Sequence, residues 1–252
     1  RSSAASDVYK RQVIIIGAGC AGLTAAIYAQ RAGLSTILLE ENFYGGQIAI
    51  SNEIENYPAI PSITGPELAQ QIYAQAESLG AQIRFETVTQ AELSANPKVV
   101  TTHTERYEAK AVIIANGVKR RKLGCPGEEA FTGRGVSYCA TCDGMLYRGK
   151  RAAVIGLAAD APAEADFLRE IGCDVQYYDG KKHRFEIRGA ERADTLVVDG
   201  AAQPADVVFV LRAGFAADTL LPGIATENGH IVVDESYAAS IPGVFAAGDC
   251  TG

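Results

Sequence analysis

Cys139 and Cys142 stand three residues apart in the stretch "SYCATCDG". A pair at this spacing can close into a disulfide and reopen. The thiolate of one cysteine is the nucleophile that attacks a disulfide sulfur, and a nearby helix N-terminus lowers its pKa. Asp143 follows directly and is a candidate acid that moves protons as thiolates form and collapse. Zinc is one competing chemistry, but a zinc site needs four ligands, and the chain has no second CxxC and no His pair. No metal is therefore expected. An inert structural pair is the other alternative.

A second chemistry is written in Gly17-Ala18-Gly19-Cys20-Ala21-Gly22, which follows the apolar run "VIIIG" and opens an apparent helix. Gly17 permits the tight turn, Gly19 lets the backbone approach a pyrophosphate at the helix N-terminus, and Gly22 lets helix and strand pack closely. Glu40 ends the next apolar strand at a distance suited to ribose hydroxyls. A second strand–turn–helix begins at Arg151, but after Gly156 come Leu157, Ala158, Ala159 and Asp160, and the glycine-rich turn is missing.

These residues need elements to hold them. The unbroken apolar run before Gly17 reads as a parallel strand buried on both faces. A helix is predicted over about Ala21–Arg31, with Gly33 at its stop, and another over "GPELAQQIYAQAESLG", started by Pro66 and stopped by Gly80. "AQIRFETVT", "KVVTTHT" and "YEAKAVIIANG" read as strands. "VKRRKLGCPGEEAFTGRG" reads as a crossover; a second strand–turn–helix–strand unit spans Arg151 to Asp179. Short strands around "RFEIRG", "DTLVVDG" and "ADVVFVLRAG" follow, then a hairpin and an apolar strand in the last segment. Two βαβ units in series predict an α/β protein with two Rossmann-like, three-layer nucleotide-binding domains, the second reduced and inserted into a discontinuous first.

Bulk properties agree with a globular protein: 252 residues, 48% hydrophobic and 21% charged. A net charge of −7 argues against nucleic acid as a partner. No apolar run approaches the roughly 20 residues that span a bilayer, so no membrane partner and a cytoplasmic location are expected. Residues 1–12, "RSSAASDVYKRQ", carry no strand or helix period and are expected to be a non-native or disordered tail. The chain starts without Met and stops at Gly252, where a helix would begin, which reads as a C-terminally truncated fragment.

Taken together, the N-terminal glycine turn, "YGGQI", "CATCDG" in mid-chain and "GVFAAGDC" near the end resemble the low-molecular-weight thioredoxin reductases over about residues 12–252. That resemblance implies an FAD-dependent disulfide oxidoreductase that reduces thioredoxin and is a homodimer at full length. Residues 13–121 and 214–252 would form the FAD domain, and 122–213 a reduced pyridine-nucleotide-type domain carrying the dithiol. Gly17, Gly19, Gly22 and Glu40 would hold the ADP half of FAD. Gly45, Gly46 and Gln47 would pass beside the flavin, Asn116 and Gly117 stand in the family's Ala-Thr-Gly segment, and Gly248 and Asp249 match its second FAD motif. Cys142 would be the flavin-facing thiol and Cys139 the one that attacks the partner disulfide.

Two departures bear on the electron donor. The family's second fingerprint has the form GGGxSAxEEA, and here the stretch is "GLAADAPAEA", keeping Gly156, Glu164 and Ala165. Asp160 is expected to cap the following helix and to repel a pyrophosphate. The His-Arg-Arg cluster that grips NADPH is replaced by Tyr177, Tyr178 and Asp179, with Lys181, Lys182 and Arg184 only after a turn, and roughly 25 residues are absent before Phe185. The chain thus resembles the ferredoxin-dependent flavin thioredoxin reductases, with ferredoxin rather than NADPH as donor and the basic "VKRRK" segment (Lys119 to Lys122) available to steer an acidic partner. Three alternatives stay open: a small-molecule dithiol oxidase, an NADPH-dependent thioredoxin reductase with a degenerate site, and a non-enzymatic flavoprotein.

Overall fold

A computed structural model describes residues 9–118, 122–212 and 221–251. Along the chain run β1 (Tyr9–Ile16), α1 (Cys20–Arg31), β2 (Thr36–Glu40), α2 (Gly65–Ser78), β3 (Gln82–Phe85), β4 (Val88–Glu92), β5 (Lys98–Thr102) and β6 (Arg106–Ile114). Then come β7 (Val136–Ser137), α3 (Ala140–Asp143), β8 (Arg151–Gly156), α4 (Ala161–Glu170), β9 (Asp174–Asp179), β10 (Phe185–Gly189), β11 (Ala193–Val198), β12 (Ala201–Pro204) and β13 (Val207–Leu211). The described chain closes with β14 (Thr226–Glu227), β15 (His230–Ile231) and β16 (Val244–Ala246). The α/β class with parallel, Rossmann-like sheets is as the sequence leads one to expect.

Two compact units separate: Arg1–Glu55, Ile60–Lys119 and Phe215–Gly252 make one, and Asn56–Ala59 with Arg120–Gly214 the other. The first is built on a seven-stranded sheet ordered β3-β2-β1-β6-β5-β4, with β16 also on β6. β3, β2, β1, β6 and β16 are mutually parallel, and β5 and β4 extend the sheet antiparallel. Strand alternation decides the layers. Ile14 and Ile16 enter one apolar cluster with Ile37, Val112 and Val244, while Val13 and Ile15 enter another with Leu23, Leu38, Leu68 and Ile72 from the helices. β1 begins at Tyr9, inside the stretch expected to be a tail, because its first residues pair with Tyr107–Ala109 of β6. α2 opens with a capping box: Glu67 N–H donates to Thr64 Oγ1 and the Glu67 carboxylate accepts from Thr64 N–H.

The second unit carries a four-stranded parallel sheet, β7-β13-β8-β9, and a three-stranded antiparallel meander, β10-β11-β12. β13, "VVFVL", is buried on both faces. Val208 and Val210 face Phe185, Ile187 and Leu196 of the meander; Phe209 and Leu211 face Ala161, Ala165 and Leu168 of α4 and Ala140 of α3. The dithiol segment therefore packs on the helical face of this sheet. β12 was not anticipated: "AAQP" lacks β-branched and aromatic residues, and its Pro204 is tolerated because β12 is an edge strand.

Candidate active site

The first unit gathers one constellation at the C-terminal ends of β1, β2, β6 and β16. Gly17 leaves β1 at φ +103°, and a Cβ there would lie 2.4 Å from Ala115 O. Its N–H donates to Leu39 O at 2.8 Å, while Ala115 N–H donates to Ile16 O at 2.8 Å. The turn is thus clamped between the strands on either side, and only glycine fits. A Cβ on Gly22 would sit 1.8 Å from Gly17 O, so α1 presses directly onto the turn. At Gly19, by contrast, a Cβ would meet nothing within 4 Å. Gly19 is the N-cap of α1 and offers no side chain to the opening N–H groups of Cys20, Ala21 and Gly22, which no helical carbonyl satisfies. A helix start whose first N–H groups no helical carbonyl serves, led by a glycine with open space at its Cβ position, is what the pyrophosphate of a dinucleotide needs, and this turn fits FAD.

The remaining residues line up around it. The Glu40 carboxylate accepts from Ala18 N–H at 2.7 Å and Asn42 N–H at 3.0 Å, so it pins the turn from the end of β2. Gly45 N–H donates to Ala18 O at 2.7 Å, and Gly46 is close enough that a Cβ would lie 3.2 Å from Gly19 Cα. Gln47 follows, exposed, in a 3₁₀ turn. Asn116 and Gly117 follow β6, and the buried Asn116 Oδ1 has no hydrogen-bond partner among the described residues. Beyond β16, Gly248 approaches α1 so closely that a Cβ would lie 2.8 Å from Ala21 Cβ. Burial, and then the neighbouring Asp249 charge, hold the Cys20 thiol above its ordinary pKa.

The second unit holds the dithiol. Cys139 and Cys142 are joined in a disulfide, Cα atoms 5.3 Å apart, with Cys142 exposed and Cys139 half-buried. Cys139 is the N-cap of α3, and its Sγ accepts from Cys142 N–H at 3.2 Å. Ser137 Oγ donates to Asp143 Oδ2 at 2.7 Å and accepts from Cys139 N–H at 3.2 Å. Burial pushes the Asp143 carboxyl above the usual range, with the Ser137 hydroxyl opposing that rise. Asp143 lies one hydroxyl away from the Cys139 backbone.

Three partners of this segment were not anticipated. Glu164 of α4 accepts from Ala140 N–H at 3.4 Å. Gly144 fits against α4 so tightly that a Cβ would lie 2.8 Å from both Leu168 and Ile171 side chains. Glu128, only 1% exposed, accepts from Leu123 N–H at 2.9 Å, Gly124 N–H at 2.6 Å and Tyr138 Oη at 3.2 Å. That carboxylate ties the crossover to the residue before Cys139. An acidic residue in a Gly- and Pro-rich crossover was the one available signal for it.

The turn after β8 is built differently from the turn after β1. A Cβ on Gly156 would lie 2.2 Å from Tyr177 Oη, so the Tyr177 side chain occupies the space above the retained glycine. The N–H groups of Leu157 and Ala158 both donate to Leu211 O, at 2.9 and 3.2 Å. Asp160 is the N-cap of α4, but its side chain makes no capping hydrogen bond because its backbone is already helical (φ −86°, ψ −10°), which corrects the expected cap. Lys182 pairs with Asp179 at 3.0 Å, and Asp179 also accepts from Lys181 N–H. Of "VKRRK", Lys119, Arg120 and Arg121 lie outside the described residues, and Lys122 pairs with Glu129 at 2.8 Å.

Comparison with known proteins agrees with this pairing of a nucleotide turn and a dithiol. Residues 11–192 and 180–252 match the model of the pyridine nucleotide-disulphide oxidoreductase family. A thioredoxin reductase of Listeria monocytogenes is 35% identical, covering 97% of this chain and 87% of its own length. The crystal structure of a Streptococcus pyogenes thioredoxin reductase superposes with a TM-score of 0.88 at 32% identity, over 96% of this chain and 90% of that one. A ferredoxin-flavin thioredoxin reductase from Clostridium acetobutylicum superposes at 0.57 with 30% identity, over 96% and 89%. With a clamped glycine turn in one unit, a closed CxxC in the other and matches along nearly its whole length, the chain belongs to the pyridine nucleotide-disulphide oxidoreductase family.

Proposed function

We propose that this chain is a thioredoxin reductase whose electrons come from a reduced iron–sulfur protein of the ferredoxin class and not from NADPH. The protein is an FAD-dependent disulfide oxidoreductase. FAD, when bound, supplies the two electrons that open the Cys139–Cys142 disulfide and can collect them one at a time from a single-electron donor. Gly17, Gly19, Gly22 and Glu40 would hold its ADP half, with Gly45, Gly46, Gln47, Asn116, Gly117, Gly248 and Asp249 around the remainder.

One observation carries the choice of donor: the turn after β8 has no vacancy for a phosphate. Tyr177 fills the space over Gly156, the N–H groups of Leu157 and Ala158 serve Leu211 O, and Pro162 in the first turn of α4 has no N–H to offer. A pyridine nucleotide needs N–H groups at that helix start and a cationic grip on its 2′-phosphate. Lys182, after the turn that follows β9, faces Asp179. These residues do not fit NADPH.

The chain's own groups suffice for the step on thioredoxin. Once the dithiol is reduced, the Cys139 thiolate attacks one sulfur of the thioredoxin disulfide. That bond breaks as the mixed disulfide forms, and the departing thioredoxin sulfur takes up a proton. Cys142 then attacks Cys139, restoring the intramolecular disulfide and releasing the second thioredoxin thiol. Asp143, at the C-terminal end of α3 and with its carboxyl raised by burial, is the group proposed to exchange protons in these transfers.

The test is an anaerobic titration of the FAD-loaded protein. Reduced ferredoxin bleaches the visible flavin band and supports thioredoxin reduction, whereas excess NADPH does neither. Rapid bleaching by NADPH alone would overturn the assignment.

A further inference from the structure

We propose that Phe43 is a stacking platform for the adenine ring of FAD. The proposal rests on reading the Gly17 turn as the FAD site. Two hydrogen bonds fix the course of the chain after β2. Glu40 accepts the N–H of Ala18 at 2.7 Å, and Gly45 donates to the carbonyl of the same residue at 2.7 Å. The segment between Glu40 and Gly45 therefore leaves the glycine turn and returns to it, and Phe43 lies in that excursion. Its side chain is 61% exposed, which is costly for a phenyl ring in water.

That exposed ring is braced from behind. Phe43 stacks on Tyr44, with ring centroids 4.1 Å apart and planes at 28°, and Tyr44 stacks on Tyr73 at 4.2 Å and 23°. Tyr44 Oη also donates to Gln70 Oε1, so two residues of α2, Gln70 and Tyr73, hold the middle ring. Tyr44 covers one face of Phe43 and leaves the other to solvent. A braced ring with one open face gives up little freedom when a flat heterocycle settles on it, so most of the stacking energy is kept as affinity. Glu40 would hold the ADP half of FAD, and the adenine is joined directly to the ribose of that half. Adenine is therefore the flat group presented to this loop. Phe85, the Cα partner of Glu40 on β3, is a second exposed ring beside that carboxylate, but no ring braces it among the described residues. Phe43 acts on the base alone in this account and takes no part in electron transfer.

The experiment uses the full chain stripped of flavin, with FAD affinity read from quenching of flavin fluorescence. Phe43→Leu keeps an apolar side chain but removes the ring, and should weaken FAD binding about tenfold. Phe43→Tyr keeps the ring and should bind as the wild type does. The chain has no tryptophan, so Phe43→Trp introduces a single indole reporter. Its emission should fall when ADP is added, because a stacked base quenches indole, and should be unmoved by inorganic pyrophosphate, which has no base. Tyr28→Trp puts the reporter at an exposed position farther along α1 and should respond to neither. Equal FAD affinity in the wild type and Phe43→Leu, a loss in Phe43→Tyr as large as in Phe43→Leu, or emission of the Phe43→Trp protein that ADP leaves unchanged overturns the proposal. A wild-type chain that binds no FAD sinks the reading of the Gly17 turn instead. None of these readouts depends on which donor reduces the flavin.

Discussion

Asp143, the sequence neighbour of the CxxC pair proposed above to move protons, sits in a setting that bears on that role. Burial raises its carboxyl pKa, and the hydroxyl of Ser137 only partly offsets that. A carboxyl raised in the fold contributes stability below its unfolded value, and that contribution is lost as the pH rises through the folded value. Asp143→Asn is neutral throughout. Its Tm should therefore gain on the wild type as the pH climbs from the ordinary carboxylate range upward, while thioredoxin turnover falls on the order of a hundredfold. Melting curves at several pH values and rapid-mixing thiol exchange check the two halves. The spacing of Cys139, Cys142 and Asp143 made this chemistry legible, but Ser137 and Glu164 were not. Serine carries no spacing rule, and Glu164 reaches Ala140 across 24 residues of sequence.

At the scale of elements, the strands and helices that position both sites were readable because their burial is periodic. The second half of β1, Val13–Ile16, and all of β13 are continuous apolar runs, and α1 is announced by its glycines. What was hidden is how elements close on one another. Tyr177 lies on β9 and Leu211 on β13, and neither is near Gly156 in sequence, yet together they fill the turn after β8. Missing glycines marked the turn as unusual; only tertiary packing shows what fills it. The support of the dithiol is also an element-level property. Leu168 is fully buried on α4, against α3 and β13. Leu168→Ala should cost about 3 kcal/mol in urea unfolding and raise the susceptibility of the Cys139–Cys142 segment to proteolysis.

For the whole molecule, the division into two compact units has a thermodynamic signature. Every residue assigned to FAD lies in the first unit, and the dithiol lies in the second. A ligand stabilises only what it binds, by RT ln(1 + [L]/Kd), roughly 2.7 kcal/mol at a hundredfold excess over Kd. Calorimetry should resolve two transitions. Added FAD should raise one and leave the other in place, and reducing the disulfide should move the second. A single transition shifted as a unit by FAD would mean that the two folding cores are coupled.

The carbonyl of Leu211, which takes two N–H groups at once, also constrains how this protein could change. Restoring a glycine at Leu157 alone leaves the donors engaged and Tyr177 in place. Clearing Tyr177 alone leaves both of those N–H groups on Leu211 O, and adding arginines alone meets Asp179. On the donor proposed above, no single step back toward a pyridine nucleotide would suffice, and the filled turn would act as a ratchet: closed by accumulated single substitutions and reopened only by several together.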